Sequence, residues 1–205
     1  MKLFREFYIK DYFREKTDDI TRFINSISEA ELIGVDKEKI IENIYKRHKS
    51  DNFDIDFENR RPAKIIMEKV KGENFPSRYD TERNKYYDCA KVQYTFITKG
   101  DHSLLGAQPT VSYFPDNINV AQNGNEFNID FQTYHGNDKL PEKVVTQIKG
   151  EISKIVDALK NQIAKINEEI NDFNSSITEF SDKLISDRKK SVNSKKNIED
   201  DLSNY

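Results

Sequence analysis

The sequence predicts an α+β protein: N-terminal helices, a small antiparallel β-sheet and a long, coiled-coil-like C-terminal helix. Three observations predict it. Apolar residues recur at three- and four-residue steps near both ends of the chain, which is helical periodicity. Between those ends the period falls to two, the mark of half-buried strands. Asn123-Gly124 sits between two alternating segments, as a hairpin turn requires. The chain divides into N-terminal helices over 1–50, an antiparallel sheet region over 51–139, a long amphipathic helix over 140–190 and a polar tail over 191–205.

In the first segment Phe4, Phe7, Tyr8, Tyr12, Ile20, Phe23, Ile24 and Ile27 keep helical spacing. Gly34 interrupts it, and Asp36 is placed to cap a second helix with the stripe Ile40, Ile41, Ile44 and Tyr45. In the middle segment Phe53, Ile55 and Phe57 alternate with Asp54, Asp56 and Glu58. Residues 63–70 are a second candidate strand, although Lys64, Glu68 and Lys69 would also suit a helix. The polar stretch 71–88, with Gly72 and Pro76, reads as a loop. A strand over 90–98 puts Val92, Tyr94 and Phe96 on one face and Gln93, Thr95 and Ile97 on the other. A short strand over 111–114 is followed by the hairpin of 118–122 and 126–134, with a type I′ turn at Asn123-Gly124. Consecutive strands joined by short turns pair antiparallel, so a meander or small sandwich is expected.

The last segment carries Ile148, Ile152, Ile155, Leu159, Ile163, Ile166, Ile170, Phe173, Ile177, Phe180 and Leu184 in steps of four and three. Such alternation is a coiled-coil seam, and the consecutive fours at Ile155, Leu159 and Ile163 form a stutter. A helix over 141–190 would be about 70 Å long. Asn171, Asp172, Asn174, Ser175 and Ser176 are poor helix formers that could mark a hairpin bend. Phe173 and Ile177 hold phase across them, which favours one continuous helix. The tail from Ser191 loses the pattern and is expected to fray. A small sheet covers about 20 Å of rod. The rest of the seam needs cover from the N-terminal helices or from another chain.

Composition narrows the function classes. The chain is polar, with mean hydropathy −0.84, yet its 13 Phe and 10 Tyr exceed what a disordered chain carries. No apolar run is long enough to span a membrane. Cys89 is the sole cysteine, so no disulfide framework exists, and the charged N-terminus lacks a secretory pattern. A cytoplasmic location is expected. The net charge of −3 gives no global attraction to nucleic acid.

The search for chemistry returns no catalytic constellation. Cys89 would need a base such as His102 or His135, and reads better as a small buried hydrophobe. His48, His102 and His135 with one cysteine build no zinc site. The acidic run Asp51, Asp54, Asp56 and Glu58 lacks the glycine and final glutamate of a calcium loop, and reads as an edge strand. No glycine-rich phosphate loop is present. No metal, cofactor or catalytic residue is expected, and the chain reads as non-enzymatic. Arg78, Arg83, Lys85 and Tyr86, interleaved with Tyr79 and Tyr87, would be the contacts of a ligand or single-stranded nucleic acid bound on the sheet and the loop 76–88. A solvated polar loop explains them more simply. The loose basic cluster Lys183, Arg188, Lys189, Lys190, Lys195 and Lys196 is diluted by Asp182, Asp187, Glu199, Asp200 and Asp201.

From Val92 onward the order of features resembles the N-terminal region of a group of uncharacterised bacterial proteins associated with antiphage defence. An alternating strand leads to Gly100-Asp101, Leu104-Leu105, Pro109 and Tyr113. A hairpin follows, then a long helix bearing Ile166-Asn167, Phe173-Asn174, Ile177 and Arg188. The resemblance covers residues 92–190 and supplies no catalytic residue. It departs where that group continues through a Leu-Gly-x-Pro-Leu stretch into another domain, since Ser191 onward is polar here. The expectation is a protein-interaction or oligomerisation module, a subunit or sensor domain of a defence system. Its seam of eleven residues from Ile148 to Leu184 would bind a protein partner or a second copy.

Overall fold

The computed structural model describes residues 1–112, 114–115, 118 and 120–204. The chain is of mixed helix and strand, as its periodicities require. In order, it forms β1 (Phe7–Tyr8), α1 (Ile9–Ser26), α2 (Glu29–Gly34), α3 (Lys37–His48), β2 (Asp54–Asp56), β3 (Lys64–Lys71), β4 (Tyr86–Lys99), β5 (Ala107–Gln108), β6 (Ala121–Asn123), β7 (Glu126–Gln132) and α4 (Glu142–Ser203).

The N-terminal region holds three helices rather than two. The helical spacing of Phe4, Phe7 and Tyr8 is coincidental. Phe4 is fully buried against Phe114, ring centroids 5.0 Å apart, while Phe7 and Tyr8 pair in parallel with Ala107 and Gln108. Ser28 starts α2 by accepting the Glu31 N–H, and Asp36 caps α3 by accepting the Glu38 N–H, as its position predicts.

The sheet is antiparallel with β4 at its centre. On one side β4 pairs with β7, and β7 with β6; on the other, β3 and β2 follow one another along the same edge. Opposed residues share a face. Ile55, Val92, Tyr94, Phe96, Phe127, Ile129 and Phe131 thus form the inner face. The outer face is polar: Lys91 bridges Glu68 at 2.8 Å and Asp130 at 3.2 Å, and Thr95 donates to Asn128 at 2.6 Å.

The candidate strand over 63–70 is β3, Lys64–Lys71, and the loop before β4 is shorter than its polarity implies. The hairpin is one residue out of the expected register. Asn123 pairs with Glu126, so the turn is Gly124-Asn125. Gly124 has φ 61° and Asn125 has no positive φ, the type II′ pattern with glycine at the first central position. Residues 111, 112 and 114 are not strand; Tyr113, in that expected strand, and Asn119, in the next, lie outside the described residues.

α4 is one continuous helix of 62 residues, about 93 Å long. There is no bend at 171–176, and the polar stretch from Ser191 remains helical through Ser203. Two apolar clusters lie along it. One sits between the inner sheet face and the first half of the helix, the other between α1–α3 and the second half.

Gly100 lets the chain leaving β4 pass close against the segment that enters β2. It has φ 81°, and a Cβ there would stand 2.3 Å from the Asn52 carbonyl oxygen. Gly124 also has positive φ but open space around it. Gly100→Ala should therefore destabilise the chain by roughly 2–4 kcal/mol and Gly124→Ala by about 1–2. Urea unfolding midpoints measure the difference, and equal costs would refute the steric reading.

Candidate functional site

The feature with the strongest functional signal is α4, so its seam and its anchorage define the site. Of the eleven seam residues, Ile148, Ile152, Leu159, Ile163, Ile166, Ile170 and Ile177 are buried, and Ile155, Phe173, Phe180 and Leu184 are half-buried. The chain itself covers them. Residues from Ile152 to Ile170 pack on the inner sheet face, and Phe173 onward packs on α1, α2 and α3. Of the two covers the sequence leaves open beyond the short sheet, the N-terminal helices or another chain, the N-terminal helices supply several turns. Phe13 stacks on Phe173 at 4.7 Å to begin this second zone.

The buried line also drifts. Beyond Ile177 the deepest residues are Ser181 and Ile185 rather than Phe180 and Leu184. Consecutive fours suit a helix lying in the groove of other helices, where a wide stripe is buried. A supercoiled pair would have kept the narrower seam.

Polar side chains fix the rod in place. Asn174 accepts the Ser50 N–H and donates to the Ser50 carbonyl, both at 2.9 Å. Asn167 does the same at Phe53, at 2.9 and 2.8 Å. These two amides satisfy the backbone between α3 and β2, which has no ladder partner of its own there. Arg188 donates to the Ile24 and Ile27 carbonyl oxygens, capping the C-terminus of α1. Glu169 accepts the N–H and hydroxyl of Thr110, at 2.7 and 2.9 Å. Lys37 and Asp182 pair at 2.5 Å, and Lys195 and Glu29 at 3.4 Å.

The cover ends with that last pair. From Asn193 through Ser203 every residue of α4 is exposed. Ile198 and Leu202 are 60 and 74 % exposed, one turn apart. Ile198 stands two heptads beyond Leu184, in phase with Ile163, Ile170 and Ile177. The sequence reading missed this pair because the tail looked aperiodic.

The remaining candidates sit elsewhere. Cys89 is buried on β4; burial, then the Glu68 and Asp88 carboxylates, push its thiol above the ordinary range. His48 ends α3, where burial and then Arg47 lower its imidazole. His102 lies in a 3₁₀ turn and His135 follows β7. Among the described residues no three His, Cys, Asp or Glu gather as a metal site. Asp56, from the acidic run, is held well below the usual carboxylate range by the Asn59 N–H and then by Lys99, 2.9 Å away.

Arg78, Arg83, Lys85 and Tyr86 are all exposed, but most already have local partners. Arg78 lies over the Tyr79 ring, Lys85 pairs with Glu82, and Tyr86 is opposite Lys71. The rings that do come together are Phe75, Tyr79, Tyr87 and Tyr134, with centroids 5.0–5.7 Å apart. They pack mainly on one another, half-buried, and close the loop onto the sheet. Tyr134 reaches them with φ 57°, a conformation no sequence pattern announces.

No family model matches the chain, and neither a curated protein nor a solved structure matches it. Among the described residues no helix is long and apolar enough to cross a membrane.

Two outcomes follow from this geometry. Asn174→Ala strands the buried Ser50 N–H and carbonyl, and Asn167→Ala strands those of Phe53; each should cost about 1–3 kcal/mol in urea unfolding. A loss within experimental error for both would mean the amides do not clamp the rod. Cys89 should resist a disulfide exchange reagent in the folded chain at pH 8 and react only in denaturant.

Proposed function

We propose that this chain is a cytoplasmic, non-enzymatic interaction module that self-associates through the uncovered last turns of α4. The observation that carries the reading is the pair Ile198 and Leu202, one turn apart and exposed beyond the end of the cover, with Ile198 in phase with the seam. The occupant is a second copy because the segment is self-complementary. Lys195 and Lys196 precede Ile198, and Glu199, Asp200 and Asp201 follow it. In an antiparallel pair centred on Ile198, the two Ile198 side chains meet, Lys196 of one copy faces Asp200 of the other, and Lys195, drawn away from Glu29, faces Asp201, with Leu202 at the rim beside Ser194. The same patch then serves both partners, as a two-fold contact demands.

The seam upstream of Ser191 takes no part as a free surface, since the chain's own sheet and helices occupy it. Its role is to hold the rod straight and present its end. A place in an antiphage defence assembly is the setting the sequence resemblance supplies for such a module. The reading of the loop 76–88 as a single-strand binder has less support, because its rings pack mainly on each other and Lys85 and Arg78 already have partners.

Two exposed turns bury far less than the ~800 Å² per partner of a standard interface, so a weak dimer is the expected state. Light scattering should show a mass rising towards that of two chains from low to high micromolar concentration. Ile198→Asp with Leu202→Asp should return the single-chain mass with an unchanged circular dichroism spectrum. A single-chain mass throughout would refute the proposal.

A further inference from the structure

The sheet contains a gap that the chain's secondary structure does not explain. β3 leaves the edge of β4 at Gln93, and β2 joins that edge only at Ile97. Tyr94, Thr95 and Phe96 thus have no strand beside them on that edge. The residues joining β2 to β3, 57–63, swing out over the gap towards the first half of α4. Between this strap, Tyr94 and the helix lies a cleft of about 610 Å³. That is within the ~300–1,000 Å³ of small-molecule sites.

The walls of the cleft have a definite chemistry. Tyr94 and Ile152 form an apolar floor, and Arg60, Arg61, Lys149 and Lys160 stand around it with a single carboxylate, Asp157. Four cations against one anion is the reverse of the chain as a whole, whose net charge is −3. Two of the four are positioned by neighbours: Arg61 by Glu126, and Lys160 over the Phe57 ring at 5.5 Å. Among the described residues no ion pair holds Arg60 or Lys149. They line the cleft from different elements, one on the strap and one on the helix.

We infer that this cleft binds an organic phosphate, a small molecule with an aromatic or apolar body and a terminal phosphoryl group. The body lies on Tyr94 and Ile152, and the phosphate is held between Arg60 and Lys149. Guanidinium groups match phosphate oxygens in paired, charge-assisted hydrogen bonds, and the ammonium groups add point charges. The apolar floor adds what inorganic phosphate cannot use.

Titration calorimetry on the full chain tests this with four probes: adenosine monophosphate, phenyl phosphate, adenosine and inorganic phosphate. At least one organic phosphate should bind, with adenosine and inorganic phosphate weaker by about tenfold or more. Arg60→Glu and Lys149→Glu, both at exposed positions, should each weaken it by about tenfold and leave the thermal midpoint unchanged. Arg78→Glu, in the distant loop, should leave affinity as it was. The inference is overturned if neither organic phosphate binds at millimolar concentration. It is equally overturned if inorganic phosphate binds as well as the best organic one, or if binding survives both charge reversals. Self-association is not involved in any of these readings, so its failure and this one are separable.

Discussion

A helix of 62 residues with an apolar stripe along most of its length cannot stand alone in water, and the rest of the chain is arranged to satisfy it. The sheet covers the first part and α1–α3 the second. The junction between these covers is the segment linking α3 to β2, whose backbone belongs to neither. Asn174 and Asn167 bond it at Ser50 and Phe53. The spacing matches on both sides. Seven residues of helix rise about 10.5 Å, and three residues of extended chain span about 10 Å. The segment can therefore run along α4 with an amide at each end, which fixes where the helical cover stops and the sheet begins.

That arrangement accounts for the polar residues that look out of place on a long helix. Asn171, Asp172, Asn174, Ser175 and Ser176 have low helix propensity, yet the helix runs through them. The tertiary bonds of Asn174 and the stacking of Phe173 on Phe13 outweigh a preference worth a few tenths of a kcal/mol per residue. Arg188 plays the matching role at the far end of the cover, where it closes the last turn of α1. Beyond it, Val192 and the Lys195–Glu29 pair are the last contacts before α4 runs on uncovered.

The alternating strands, the Asp36 cap and the unbroken C-terminal helix were legible in the sequence, because each rests on local spacing. The short helix α2 was not, since its six residues carry a single buried side chain, Leu32, too few to set a period; nor was β1, because Phe4 and Phe7 mimic helical steps while contributing to a buried loop and a two-residue strand. The hairpin was legible as a hairpin but not in register: Asn123-Gly124 suits a type I′ turn and Gly124-Asn125 a type II′ turn, and the sequence offers both. Whether the seam was bare or covered lay beyond any local pattern. It depends on pairing residues such as Ile24 with Arg188, 164 positions apart. The gap along β4 was equally hidden, because β2 and β3 each read as ordinary strands and only their shared edge creates the opening.

The organic-phosphate cleft and the uncovered turns lie on one helix but far apart. From Lys160 to Ile198 the rod rises about 57 Å, with no Gly or Pro between them. They share no residue, and the clamped middle of α4, held by Asn167 and Asn174, separates them. Side chains this distant, without common partners, act additively. A charge reversal at Lys149 therefore has no route to the last turns except through the helix itself, whose two covered zones would have to shift together. Rigidity of this kind is what a chain gains by covering most of a rod with its own sheet and helices instead of leaving that surface for another molecule.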